Sequence, residues 1–150
     1  MKNIYVNKPF LPDLELVNTE LKKIWKSKIL SNNGPYHQRF EEEVARYLKV
    51  EYVSLFNNCT TALLVAIKAM ELKGEVITTP FTFAASTSAL IWNGIKPIFV
   101  DIEKDSFNID YKQIENTITS NTVGILGVHS YGNPCEVSKI KEICSKHNLQ

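Results

Sequence analysis

The sequence predicts an α/β protein, a mostly parallel sheet with helices on both faces, and three observations carry that expectation. Short apolar runs alternate with segments of helical periodicity from Glu51 onward. One of these runs, Val123-Gly124-Ile125-Leu126-Gly127-Val128, contains no polar residue, as a strand covered on both sides requires. No 20-to-50-residue period or low-complexity tract competes with this reading. With 150 residues, the chain has the length of about one domain, and a chain of that size buries roughly 70% of its unfolded surface on folding.

Two helices precede the alternation. Leu14, Val17, Leu21, Ile24 and Trp25 recur at helical spacing after Pro9 and Pro12, which gives an amphipathic first helix. Ser31-Asn32-Asn33-Gly34-Pro35 is a dense breaker cluster. Phe40, Val44 and Tyr47 then share one face of a second helix, with Glu41, Glu42 and Glu43 expected towards its start, where the helix dipole favours anions. Beyond Glu51 the expected order is strand 52–56, helix 60–72, strand 76–79, helix 83–92, strand 97–100, helix 110–118, strand 123–128 and helix 137–147. Leu149-Gln150 reads as the first step of another strand. The unit is therefore expected to be the leading part of a longer protein, with leading helices and a loop over 1–50 and βα repeats over 51–150.

Composition excludes several classes. Seventeen Lys and Arg against sixteen Asp and Glu leave a net charge of +1, without the basic excess of a dedicated nucleic-acid or membrane-surface binder. At 44% hydrophobic and 22% charged the chain is too apolar to be disordered. No apolar run approaches the ~20 residues of a membrane span, and Met1-Lys2-Asn3-Ile4-Tyr5 does not read as a signal peptide. Cys59, Cys135 and Cys144 are odd in number and lack C-x-x-C spacing, so a reduced, cytoplasmic setting is expected. The scattered His and Cys residues give no metal site.

Ligands of open parallel sheets bind beyond the carboxyl ends of the strands, where loops and helix N-termini converge. The sequence puts Asn57-Asn58-Cys59-Thr60-Thr61 on that rim, just where a helix opens. Free backbone N–H groups, the positive dipole end and two threonine hydroxyls suit a phosphate. The same residues also suit an ordinary cap made by Asn58 or Thr60, and the residues alone do not choose. There is no G-x-G-x-x-G and no P-loop lysine, so dinucleotide and nucleoside-triphosphate sites are disfavoured. Phe81 and Phe83 reach the same rim, where a ring can stack on a planar ligand or pack into the core. His129, at the end of the last strand, could be an acid, a base, a hydrogen-bonding support or a structural residue. His37 and His147 are expected on helix surfaces, and Lys139, Lys141, Glu142 and Lys146 on a solvated helix face. Asp101, after a strand, could cap or position the next loop.

Taken in order, these segments resemble the DegT/DnrJ-type sugar aminotransferases. Asn33-Gly34-Pro35 with Phe40-Glu41 is similar to G-P-x-x-x-x-F-E. Asn58-Cys59-Thr60-Thr61-Ala62-Leu63 is similar to S/N-G-T-x-A-L, and Glu75 to Phe83 to E-V-I-x-P-x-x-T-F. Pro97 to Asp101, Phe107-Asn108-Ile109-Asp110 and Val128 to Gly132 resemble P-V-F-V-D, a later I-D and V-H-L-Y-G. The resemblance spans nearly the whole chain. It implies the aspartate-aminotransferase-like large domain of pyridoxal-phosphate (fold type I) enzymes, here its N-terminal portion, apparently truncated, with the rest of that domain and a C-terminal domain outside the chain. It also implies transfer of an amino group, from glutamate, to a nucleotide-linked keto-deoxysugar in a homodimeric, cytoplasmic protein.

Residue by residue, the resemblance implies that Cys59, Thr60 and Thr61 hold the phosphate of pyridoxal 5'-phosphate and that Phe83, not Phe81, stacks on its ring. Asn33 and Gly34 would lie near the sugar-nucleotide pocket, and His129 would support the site from beneath. Cys59 departs from the family's usual Gly. The Schiff-base lysine and the pyridinium-binding aspartate are expected beyond Gln150, so the chain alone would be inactive. A sugar dehydratase of the same family, and a cofactor-free α/β binding module with Thr60 as a cap and Phe83 in the core, are the alternatives.

Overall fold

The computed structural model describes residue 4 and residues 7–150. The leader-peptide reading of Met1 to Tyr5 therefore concerns residues that, Ile4 aside, lie outside the described ones. The chain divides into two compact units, Met1–Leu55 and Phe56–Gln150.

In the first unit, α1 (Leu14–Ser27) opens on Asp13, whose carboxylate accepts hydrogen bonds from the amides of Glu15 at 2.8 Å and Leu16 at 3.2 Å. Those are two of the donors every helix start leaves unsatisfied. The helix ends where Lys28 turns left-handed, at φ 57°. Pro35 sets the first residue of α2 (Pro35–Leu48), a position where its missing N–H costs nothing. Because α2 starts there, Glu41 to Glu43 lie past its first turn, not at its start as expected, and the dipole adds little to them. Glu41 instead accepts the Leu55 amide at 2.9 Å, and Glu43 pairs with Arg46 at 2.7 Å. Tyr36 Oη donates to Glu20 at 2.6 Å and ties the two helices together. Neither helix has a fully buried residue, and Phe40 and Tyr47 on the expected apolar face are exposed.

The expected strand over Tyr52 to Phe56 does not form. Among the described residues its backbone joins no strand ladder. Apolar, β-prone side chains alone do not make a strand.

The second unit holds α3 (Cys59–Ala69), β1 (Glu75–Thr78), α4 (Ala84–Trp92), β2 (Lys96–Phe99), α5 (Tyr111–Ile114), β3 (Thr122–Ile125) and α6 (Val137–His147). The strands form a parallel sheet in the order β2-β1-β3. Pro97 is tolerated because β2 is the edge. Alternation along β1 sends Val76 to one face, against Ile67, Ala89, Leu90 and Ile95 from α3, α4 and the residue before β2, and Ile77 to the other, with Val100, Ile109, Ile114 and Ile143. Each such fully buried aliphatic contributes about 1.5–3 kcal/mol. Helices thus cover both faces, as the apolar runs predict.

Two elements are shorter than expected, and one strand pairing slips in register. The expected helix over 110–118 keeps one α-turn, α5, and then tightens to a 3-10 turn over Glu115–Thr117. Strand β3 is shorter than 123–128 and only half-buried, and Gly127 is exposed. Its pairing with β1 slips between Glu75 and Val76, so that Glu75 faces Thr122 but Val76 faces Gly124. Val123 is the extra residue and lies on the same face as Leu126, both against the Ile67–Leu90 cluster.

Glu75 is 8% exposed yet satisfied, by Lys96 Nζ at 2.9 Å and Thr119 Oγ1 at 2.7 Å. These hydrogen bonds, Lys96's first, hold its carboxyl below the ordinary glutamate value. Before it, Gly74 has φ +138°, and a Cβ there would collide with the Asn121 carbonyl oxygen. That same oxygen accepts the Glu75 amide at 2.8 Å. At the free edge of β3, Gln150 donates to Val123 O at 3.1 Å and accepts from Ile125 N at 3.0 Å, the spacing of a parallel ladder.

Candidate functional site

Helix α3 runs through Met70–Gly74 directly into β1, so its start lies at the opposite, carboxyl end of the strands, the rim from which the loop to α4 also departs. Asn58 has extended backbone, and its side-chain oxygen accepts from Thr61 N at 2.8 Å and Thr61 Oγ1 at 3.1 Å. The cap is therefore Asn58, and Thr60 has no part in it. Thr61's amide and hydroxyl are engaged by that cap. The amides of Cys59 and Thr60 and the Thr60 hydroxyl find no partner among the described residues. Cys59 is exposed, at a helical position and without positive φ, so a glycine's conformational freedom is not needed there.

On the same rim, a cleft of about 590 Å³ opens between Pro80–Phe83 with Ser86 on one side and Val128–Tyr131 on the other. That volume falls in the range of small-molecule sites. Phe83 precedes α4, is 81% exposed and joins no aromatic pair among the described residues. Phe81 is half as exposed and stacks on Phe107 at 5.6 Å, and both rings meet Tyr131, at 6.3 and 6.4 Å. Both phenylalanines line the cleft, Phe81 packed against neighbouring rings and Phe83 more exposed.

His129 lines the cleft, and its Nδ1 accepts the Cys135 amide at 3.1 Å. In the neutral ring the proton then sits on Nε2, which makes that atom a donor. Burial raises the Cys135 thiol above its ordinary value, so it is a poor nucleophile. Asp101 uses its carboxylate on the Ile102 amide and its carbonyl on Asp110 N, a loop-positioning part.

Asn33 and Gly34 belong to the Met1–Leu55 unit and line a separate cleft of about 290 Å³ with Ile24, Ile29 and His37. Asn32 and Asn33 have left-handed backbone. His37 and His147 are half-buried, not simply superficial: His37 Nδ1 has no hydrogen-bond partner among the described residues and lies 3.7 Å from the Glu41 carboxylate, and His147 pairs with Glu115 at 3.0 Å. Lys139 with Glu142 and Lys146 with Glu115 form exposed pairs, as the solvated-face reading expects. No three His, Cys, Asp or Glu side chains among the described residues are placed to hold a metal. No described helix is long and apolar enough to cross a membrane.

Sequence reasoning passed over Asn108 and Ser130. Asn108 is 1% exposed; its Oδ1 accepts Ser130 N at 2.9 Å and its Nδ2 donates to Asn133 O at 3.1 Å. Ser130 Oγ donates to Phe107 O at 2.9 Å. The flanking Phe107 and Tyr131 have left-handed backbone, φ 58° and 54°, which costs a bulky residue about 1–3 kcal/mol and persists only where surroundings enforce it. The one signal available was an asparagine set between two apolar residues in Phe107-Asn108-Ile109.

A parallel sheet covered by helices on both faces is the fold of the type I, pyridoxal-phosphate-dependent aminotransferases. Solved structures of that class superpose on it: DesI in the presence of its TDP-sugar product, with TM-score 0.86 and 36% identity over 92% of this chain and 35% of that one, and NtdA from Bacillus subtilis with bound cofactor PMP, with TM-score 0.86 and 30% identity over 99% and 36%. The chain belongs to the DegT/DnrJ/EryC1/StrS aminotransferase family, whose sequence model matches residues 14–150. It is 50% identical over 149 residues to the dTDP-4-amino-4,6-dideoxy-D-glucose transaminase of Escherichia coli, covering 99% of this chain and 40% of that one. The chain spans about two-fifths of the length of such relatives.

Proposed function

We propose that the full-length protein transfers an amino group, from glutamate, to a nucleotide-linked keto-deoxysugar, using pyridoxal 5'-phosphate, in the cytoplasm and as a homodimer. One observation carries the reading: two unengaged backbone amides and a threonine hydroxyl open a helix on the same rim as an exposed, unpaired Phe83. The residues fit the cofactor. Its phosphate would take the amides of Cys59 and Thr60 and the Thr60 hydroxyl, aided by the helix dipole, and would reach Thr61 only by competing with Asn58. Phe83 would lie against the pyridine ring and exclude water from one face. His129, held through Nδ1, would offer Nε2–H as a fixed donor under the ring. Asn33 and Gly34 would contact the sugar nucleotide. When bound, the cofactor supplies the electron sink that lets an amino group move between carbons. The residues of this chain grip and orient it; the lysine and aspartate that complete the chemistry would lie outside residues 1–150.

The cofactor-free module needs Thr60 as the cap and Phe83 in the core. Asn58 makes the cap and Phe83 is exposed, which favours the cofactor reading. The test is Thr60→Ala and Phe83→Leu in the full-length protein, with pyridoxal phosphate affinity measured by titration. A hydrogen bond to a charged group is worth about 1.5–3 kcal/mol, so Thr60→Ala should weaken binding at least tenfold. Affinity unchanged in both variants would return the chain to the binding-module reading.

A further inference from the structure

Four polar atoms of Asn108 are engaged at once. Its amide donates to Ser106 Oγ at 3.2 Å, its carbonyl accepts Glu103 N at 2.8 Å, Oδ1 accepts Ser130 N and Nδ2 donates to Asn133 O. The carboxamide therefore cannot rotate without breaking a bond on each side. It belongs to the loop after β2, yet both of its side-chain partners belong to the loop after β3. A third bond between these loops, Ser130 Oγ to Phe107 O, sits one residue away, and the Phe107 and Tyr131 rings meet beside the join. What this clasp holds is the Val128–Tyr131 wall of the cleft, including the residue next to His129. Asn108 itself does not line that cleft.

We propose that Asn108 is a positioning residue for the cofactor cleft: its buried carboxamide fixes the His129–Tyr131 wall from behind and so sets the place of His129 under the cofactor ring. The inference rests on the reading of that cleft as the pyridoxal-phosphate site. Nothing else among the described hydrogen bonds joins the Phe107–Asn108 backbone to Ser130–Asn133, so loss of the carboxamide leaves one bond, from Ser130 Oγ, to hold two left-handed residues in register.

The experiment compares wild type, Asn108→Ala and Asn108→Asp in the full-length protein. Three quantities are read: the dissociation constant for pyridoxal phosphate, the circular-dichroism band of the bound cofactor, and the thermal melt. Asn108→Asp keeps the size and the acceptor for Ser130 N but loses the donor to Asn133 O, and it decides the question if Asn108→Ala does not fold. The expected result is a cooperative melt with at least tenfold weaker cofactor binding and an altered cofactor band. A purely structural asparagine would lower the melting temperature while leaving the dissociation constant and the band of the folded variants at wild-type values, and that outcome overturns the proposal. Thr60→Ala, run alongside, separates the two readings. If Thr60→Ala loses the cofactor and the Asn108 variants keep it, this inference alone fails; if all keep it, the cofactor site fails with it.

Discussion

Phe81 and Phe83 sit two residues apart and meet different surroundings, and no property of the phenylalanine side chain distinguishes them in advance. Phe81 has Phe107 and Tyr131 to stack on; Phe83 has none and stands exposed. Periodicity could place both on the rim, but the choice depended on which loops arrive beside them, information held by residues 20 to 50 positions away. Thr60 and Asn58 were open to the same ambiguity, since both side chains can cap a helix; the geometry assigns the cap to Asn58. Asn108 was illegible for a related reason, because a buried carboxamide is recognisable only by its partners. Cys59 offers a direct probe of the helix mouth. It is exposed while Cys135 is buried and Cys144 half-buried, and burial raises both of those thiols. Alkylation should therefore modify Cys59 first. Pyridoxamine phosphate at ten times its dissociation constant should slow that modification roughly tenfold in the full-length protein, read by mass spectrometry of the labelled peptide; no protection would place the phosphate elsewhere.

At the level of elements, helix and strand identities were mostly readable, and α6 occupies the expected span, because 3.6- and 2-residue patterns are written locally. The failures are of another kind. Tyr52 to Phe56 has strand chemistry but joins no ladder among the described residues. The acidic run of α2 was misplaced because the helix begins at Pro35, a start signal competing with the Glu cluster. The slip at Val123 is set by the partner strand and leaves no mark in β3's own sequence. Element β1 carries a pH-dependent term. Glu75 is bonded to Lys96 and Thr119, so its carboxyl is depressed in the folded state. A depressed acid stabilises the fold above the unfolded pKa of about 4.3 and loses that contribution as pH falls through the folded value. Glu75→Gln should lower the melting temperature at pH 7 and reduce the difference from wild type as pH drops below about 4. An undiminished difference at pH 3, followed by circular dichroism, would show the carboxylate is not the stabilising group.

For the whole molecule, the family and fold could be inferred from ordered strings along the chain, while the arrangement of the site could not. The chain covers 40% of one relative's length and 35% of another's, and the proposed cofactor grip, without a lysine and an aspartate, would give binding without turnover. Residues 1–150 expressed alone should therefore show no amino transfer from glutamate to a nucleotide-linked keto-sugar, with the full-length protein as positive control in a coupled assay for 2-oxoglutarate; turnover by the short chain would mean that the catalytic lysine lies within it. Helix α3 also has a consequence beyond its own mouth. Eleven residues long, it is a rod of about 16 Å, and past its far end Gly74 lies against Asn121 with no room for a methyl group. A side chain added there would push on the sheet's first rung, so an alteration beyond the opposite end of the rod would loosen the proposed grip on a phosphate it never touches.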